Sequence, residues 1–102
     1  MIERGSPNTV LEMGYSVDEF VRVLPAAMRD WRVSGGPLRW RVQDAATTLD
    51  ILIDLEPLPE RRMGALRLPV LAVTIAPQPS TSPASMDEFT RRFERGFHRG
   101  GG

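Results

Sequence analysis

A chain of 102 residues, 41% apolar and 25% charged, has the size and composition of one globular domain rather than of a disordered or fibrous segment. Thirteen basic and thirteen acidic residues cancel, so no overall field steers the chain toward nucleic acid or an anionic membrane. The absence of cysteine excludes disulfides, thiolate metal sites, iron–sulfur clusters and cysteine nucleophiles.

Small secreted domains lean on disulfides, so a cytoplasmic location is expected. Residues 1–8 show no basic segment followed by an apolar run, so no signal peptide is expected. The longest apolar stretch, residues 68–76, contains Pro69 and Thr74 and is far too short to span a bilayer, so no membrane partner is expected. Every basic residue is arginine.

Residues 1–14 mix Gly, Pro, Asn and isolated apolar residues without a period and read as a flexible N-terminal arm. The first clear signal is Tyr15-Ser16-Val17-Asp18-Glu19-Phe20. Ser16 and Glu19 have the spacing of a capping box, and Tyr15 and Phe20 the spacing of a hydrophobic staple. Apolar residues then recur at Val17, Phe20, Val21, Leu24, Ala27, Met28 and Trp31, one face of an amphipathic helix. Pro25 removes a helical hydrogen bond and is expected to kink or end this helix near Leu24.

Ser34-Gly35-Gly36-Pro37 is a turn. Leu38, Trp40 and Val42 then alternate with Arg39, Arg41 and Gln43, and Leu49, Ile51, Ile53 and Leu55 alternate within residues 48–56, which predicts two strands. With residues 44–47 closing a hairpin, Arg41 is expected to face Asp50, Trp40 to face Ile51 and Val42 to face Leu49. Pro57-Leu58-Pro59-Glu60 breaks the run, and a third strand is expected from Arg61 to Leu68. Pro69 interrupts it before Val70 to Ala76 continue as strand, which places this segment at a sheet edge or marks a bulge. Residues 77–83 read as an exposed, proline-rich linker. A second capping box is expected in Ser85-Met86-Asp87-Glu88, opening a helix whose stripe is Met86, Phe89, Phe93 and Phe97. Residues 100–102 form a glycine tail. The fold class expected is α+β, a two-layer sandwich in the order helix, three- to four-stranded antiparallel sheet, helix, with both helices on one sheet face. Residues 15–99 constitute the single domain.

No chemical motif emerges. The lone histidine, His98, lies next to the glycine tail, and a histidine base must be rigidly oriented to work. One histidine without cysteine makes no zinc set. Asp50, Asp54 and Glu56 share one side of a strand, but Asp50 and Asp54 are about 13 Å apart along it, too far to share a cation unaided. Arg39, Arg41 and Arg67 are positioned to pair with such carboxylates from neighbouring strands. Gly35-Gly36 is followed by a strand and not by a helix, so it is no phosphate loop. Trp40 takes an inward strand position, and Trp31 is expected nearer a rim.

The stretch Phe89-Thr90-Arg91-Arg92-Phe93-Glu94-Arg95-Gly96-Phe97-His98-Arg99-Gly100-Gly101-Gly102 resembles the end of a group of short bacterial proteins of unassigned function. Residues 66–73, Leu-Arg-Leu-Pro-Val-Leu-Ala-Val, are similar to the strand preceding it in that group. The resemblance spans residues 15–102 and implies no catalytic, metal or cofactor-binding residue.

Three functions from different classes follow. The first is a non-enzymatic interaction module using the outward sheet face at Arg39, Arg41, Asp50, Leu52 and Asp54, or the edge near Pro69, with a homodimer through that edge as one version. The second is nucleic-acid or anion binding through Arg91, Arg92, Arg95, His98 and Arg99; the phenylalanines between these arginines have core spacing, which disfavours nucleic acid. The third is a small enzyme using Arg39, Arg41, Asp50 and Asp54 without a cofactor.

Overall fold

The computed structural model describes residues 8–98. The chain runs β1 (Thr9–Met13), α1 (Val17–Met28), β2 (Arg32–Gly35), β3 (Arg39–Asp44), β4 (Leu49–Met63), β5 (Leu66–Pro77) and α2 (Pro83–Gly96). It is an α+β fold with one antiparallel sheet of five strands in the order β1-β5-β4-β3-β2. Alternation along β3, β4 and β5 turns Trp40, Val42, Leu49, Ile51, Ile53, Leu55, Leu71, Val73 and Ile75 to one face, where all are buried. The apolar stripes of α1 (Phe20, Leu24, Met28) and α2 (Phe89, Phe93) join them in a single core.

The sheet is wider than the sequence pattern indicates. Thr9–Met13, expected within a flexible arm, pairs with β5 so that Leu11 lies beside Val73 and Met13 beside Leu71. Arg32–Gly35 adds the opposite edge against β3. Both are short edge strands with one or two inward side chains, too little alternation to register as a period.

The β3–β4 hairpin forms, but its register is two residues from the one expected. Trp40 lies opposite Ile53, Val42 opposite Ile51 and Gln43 opposite Asp50. A shift of two preserves which face each side chain takes, so alternation cannot distinguish the two registers. The turn decides: Thr48 adopts φ 52° and its N–H meets the Ala45 carbonyl, so the loop occupies residues 45–48.

The expected third strand at residues 61–68 is instead the tip of a second hairpin. β4 continues through Pro57 and Pro59 to Met63, with a register irregularity between Leu58 and Arg61, and turns at Gly64, whose φ is 61°. Pro69 lies where the outer side of β5 has no neighbour, because β1 ends at Met13 opposite Leu71, and a missing donor is harmless there.

Ser16 and Glu19 make the capping box, with reciprocal bonds of 3.1 and 2.9 Å. Pro25 does not end α1 at Leu24. The helix completes another turn to Met28, with the proline exposed on its solvent side and its carbonyl accepting the Arg29 N–H. The cap of α2 is Ser82 and not Ser85: Pro83 takes the first turn, where a missing N–H is tolerated, and Ser85 is buried one turn in. Residues 77–83 are also docked rather than free. Gln78 and Ser82 donate backbone N–H groups to the carbonyls of Asp50 and Thr48, Thr81 Oγ1 bonds both backbone groups of Asp50, and Ser85 Oγ donates to the Thr47 carbonyl.

The two helices run antiparallel, since Phe20 stacks on Phe97 at 4.6 Å while the Met28 carbonyl accepts from Arg92 at 2.6 Å. They pack tightly at Gly96, where an added Cβ would collide with Ala27. Replacing Gly96 with Val is expected to force the helices apart and lower stability by about 1–3 kcal/mol in urea denaturation. An unchanged midpoint would mean that the crossing is not tightly packed.

Candidate interaction surfaces

Four regions of the surface carry chemistry. The first is the sheet face opposite the helices, covered by no described element. Arg39 Nε donates to Asp54 Oδ1 at 2.8 Å, and Arg41 grips Asp50 with two bonds of 2.9 and 2.7 Å. Arg41 lies directly opposite Leu52, so it reaches Asp50 diagonally. The expected interaction set of Arg39, Arg41, Asp50, Leu52 and Asp54 is therefore one contiguous patch whose charges already neutralise each other. The Arg41 hydrogen bond holds the Asp50 carboxyl below its ordinary value of 3.8, against a smaller opposing effect of burial. Both Asp50 carboxylate oxygens accept from Arg41, which ties the carboxyl into the ion-paired sheet face.

The second is the free end of the β4–β5 hairpin. β3 pairs with β4 only as far as Asp54 and β1 with β5 only as far as Leu71, so residues 57–69 extend as a two-stranded arm. Counting the register outward from Ala72 places Leu58, Val70, Leu68, Met63 and Leu66 on the outward face together with Arg61, which lies opposite Leu68; Val70 is buried and Leu58 half-buried there. Exposure rises toward the tip, from 37% at Leu68 to 57% at Met63 and 63% at Leu66. On the other face Arg62 and Arg67 are directly opposed. Like charges across a ladder repel, and no ion pair reaches either among the described residues. Arg61 is anchored weakly, 3.5 Å from Glu12 of β1. The apolar residues here are legible in the sequence, but their exposure is not, because the pattern matches that of a buried strand.

The third is the arginine-rich last helix, and the structure separates its members. Arg91 and Arg92 both bond Glu88. Arg92 also bonds the Met28 carbonyl and Asp30 and lies 3.7 Å over the ring of Trp31, which is buried rather than at a rim. It is a strut between helices. The Arg92 bond holds Asp30 below its ordinary range, and those from Arg91 and Arg92 do the same for Glu88. His98 is exposed on the far side, beside Leu11, Met13 and Tyr15 of the β1 end, and Arg99 lies outside the described residues. The five expected anion-binding residues do not form one site. Of those described, Arg95 and His98 have no carboxylate partner, and they lie apart on the helix surface.

The fourth is a shallow groove of about 550 Å³ along the solvent side of the α1–α2 seam, where Arg95 meets Arg22 and Arg29. The sequence pattern does not associate these residues, because Arg95 lies more than sixty positions from Arg22 and Arg29. Arg29 closes α1 with φ 61° and ψ −111°, a backbone conformation that costs a non-glycine residue about 1–3 kcal/mol.

Among the described residues no group of three or more His, Asp or Glu side chains could hold a metal ion, and no helix is long and apolar enough to cross a membrane. No family model, curated protein or solved structure matches the chain.

The folded value of Asp50 lies below its unfolded value, so its stabilising contribution is complete at neutral pH and is lost as pH falls through the carboxylate range. Stability measured by urea denaturation is expected to fall between about pH 5 and about pH 3, and to fall less steeply in Asp50→Asn. Parallel curves would remove Asp50 from the pH dependence.

Proposed function

We propose that the protein is a non-enzymatic interaction module whose β4–β5 arm docks on an acidic, partly apolar surface of another protein. The observation that carries this is the arm itself, with an apolar strip on one face and an unrelieved arginine pair on the other. Isolated exposed apolar residues are ordinary on protein surfaces, whereas Met63, Leu66 and Leu68 are contiguous on a projecting hairpin. A partner cleft that takes in the tip covers the strip and meets Arg61 with one wall and brings carboxylates to Arg62 and Arg67 with the other. Both edges of the arm also leave backbone groups free for strand addition.

A second copy of the chain suits this arm poorly. Arg61, Arg62 and Arg67 against one acid, Glu60, give residues 57–69 a net charge of +2 (three positive, one negative), so two tips in contact repel. The ion-paired patch of Arg39, Arg41, Asp50 and Asp54 forms the flat margin of the contact, with the Leu52–Ala76 pair set apart from the arm's apolar strip by the Asp54–Thr74 and Glu56–Ala72 pairs.

The test compares the tagged protein with a Met63→Asp, Leu66→Asp double variant in quantitative capture from a lysate of the source cells. Both substitutions lie at exposed positions, so the melting curve is expected to be unchanged. A protein captured in stoichiometric amount by the parent and lost with the variant is the expected result. Equal capture by both, or a dimer growing with concentration in sedimentation of the pure parent, would overturn it.

A further inference from the structure

We propose that the α1–α2 seam is a second docking site, which takes an acidic amphipathic helix of a partner protein. Arg22 and Arg29, one helical turn beyond each side of Ala26, line one wall, and Arg92 and Arg95 line the other. Ala26, Ala27 and Gly96 leave the floor between them low and apolar. Among the described residues no carboxylate lines the groove, although the chain as a whole is neutral. Among the described residues Arg92 alone of the four is ion-paired, and its bonds to Glu88 and Asp30 hold it as part of the wall.

The form of the groove selects its occupant. Arg22 and Arg29 are seven residues apart, about 10 Å along the helix. A single carboxylate or phosphate cannot meet cations spread that far along two walls, so the charge pattern calls for an elongated polyanion. Among the described residues the floor has no aromatic ring on which a base could stack, which disfavours single-stranded nucleic acid. A helix with an apolar stripe bordered on both sides by Glu or Asp fits both features: small floor residues allow its backbone close, and its acids meet the arginine rails. This site extends the interaction-module reading but does not depend on the arm.

The backbone at Arg29 makes the proposal sharply testable. Its positive φ suits glycine, so Arg29→Gly relieves local strain while deleting a cation from the wall. The full chain is titrated, by fluorescence anisotropy at low salt, with a labelled helical peptide of about fourteen residues. Its Leu/Ala stripe is flanked by Glu, and controls are the same peptide with Lys for Glu and a labelled oligothymidylate. Expected are binding of the Glu peptide that weakens with salt, no binding of the Lys peptide, and an affinity loss of about three-fold or more in the double variant Arg29→Gly, Arg95→Ala. Arg29→Gly alone is expected to weaken binding while its melting temperature stays level or rises. The arm variant Met63→Asp, Leu66→Asp is expected to bind the peptide like the parent, so failure at the arm and failure at the groove are separable. Absent binding of the Glu peptide, equal binding of the Lys peptide, tighter binding of the oligonucleotide, or undiminished affinity in the double variant would each overturn the groove assignment.

Discussion

Phe20 stacks on Phe97 and lies beside Phe93, while Tyr15 packs edge-on to Phe97 and donates its hydroxyl to the Phe97 carbonyl at 3.0 Å. This cluster joins positions 82 apart in sequence and holds the start of α1 to the end of α2. The rest of the architecture depends on it. The inward face of the sheet is almost wholly aliphatic, and neither helix alone is wide enough to cover it. Aromatic rings joining the two helices make one lid from two stripes. At the opposite end of the helix pair Arg92 does the corresponding work with polar bonds, satisfying the Met28 carbonyl at the α1 terminus and covering Trp31.

A lid built in this way has two consequences for the surface. It covers one sheet face and leaves the other bare, so the outward side chains of β3 and β4 neutralise each other in the Arg39–Asp54 and Arg41–Asp50 pairs. Exposed pairs of this kind contribute little stability, typically below about 1 kcal/mol each, but they keep a flat sheet face polar and discourage stacking of one sheet on another. The lid is also shorter than β4 and β5. Those strands run past the last covered residues, and their tips project with Met63, Leu66 and Leu68 exposed.

Charge is distributed on the same logic. Arginines that serve the fold are spent on carboxylates or on Trp31, and of the described ones left over all but Arg32 of β2 gather at the arm tip and along the helix seam. The neutral total conceals this division. Both unpaired groups are cationic and both adjoin apolar surface, the combination in which an acidic partner gains both charge complementarity and burial.

Much of the fold was legible in the residues themselves. Alternation around Trp40–Val42 and Leu49–Leu55 located the core strands and assigned their faces, because the period of two follows from strand geometry alone. Ser16 and Glu19 announced the start of α1 because a cap is local chemistry within four residues. What depended on long-range pairing was not legible. The register of the first hairpin differs from the expected one by a shift that alternation cannot detect. β1 and β2 exist because a neighbouring strand offers them a ladder, not because five or four residues prefer to be extended. Ser82 caps α2 in place of Ser85 because residues 78–82 are tied to the β3–β4 turn, which sets where the chain can begin to coil. The candidate sites followed the same rule: composition showed that arginines cluster in the last helix, but which of them are occupied depends on Glu88, Asp30 and Trp31 arriving from elsewhere. Local periodicity and capping thus determined the elements and their buried faces. Only the tertiary structure decided the strand register, the sheet edges and which charges remain unpaired, because each of these is a relation between segments distant in sequence.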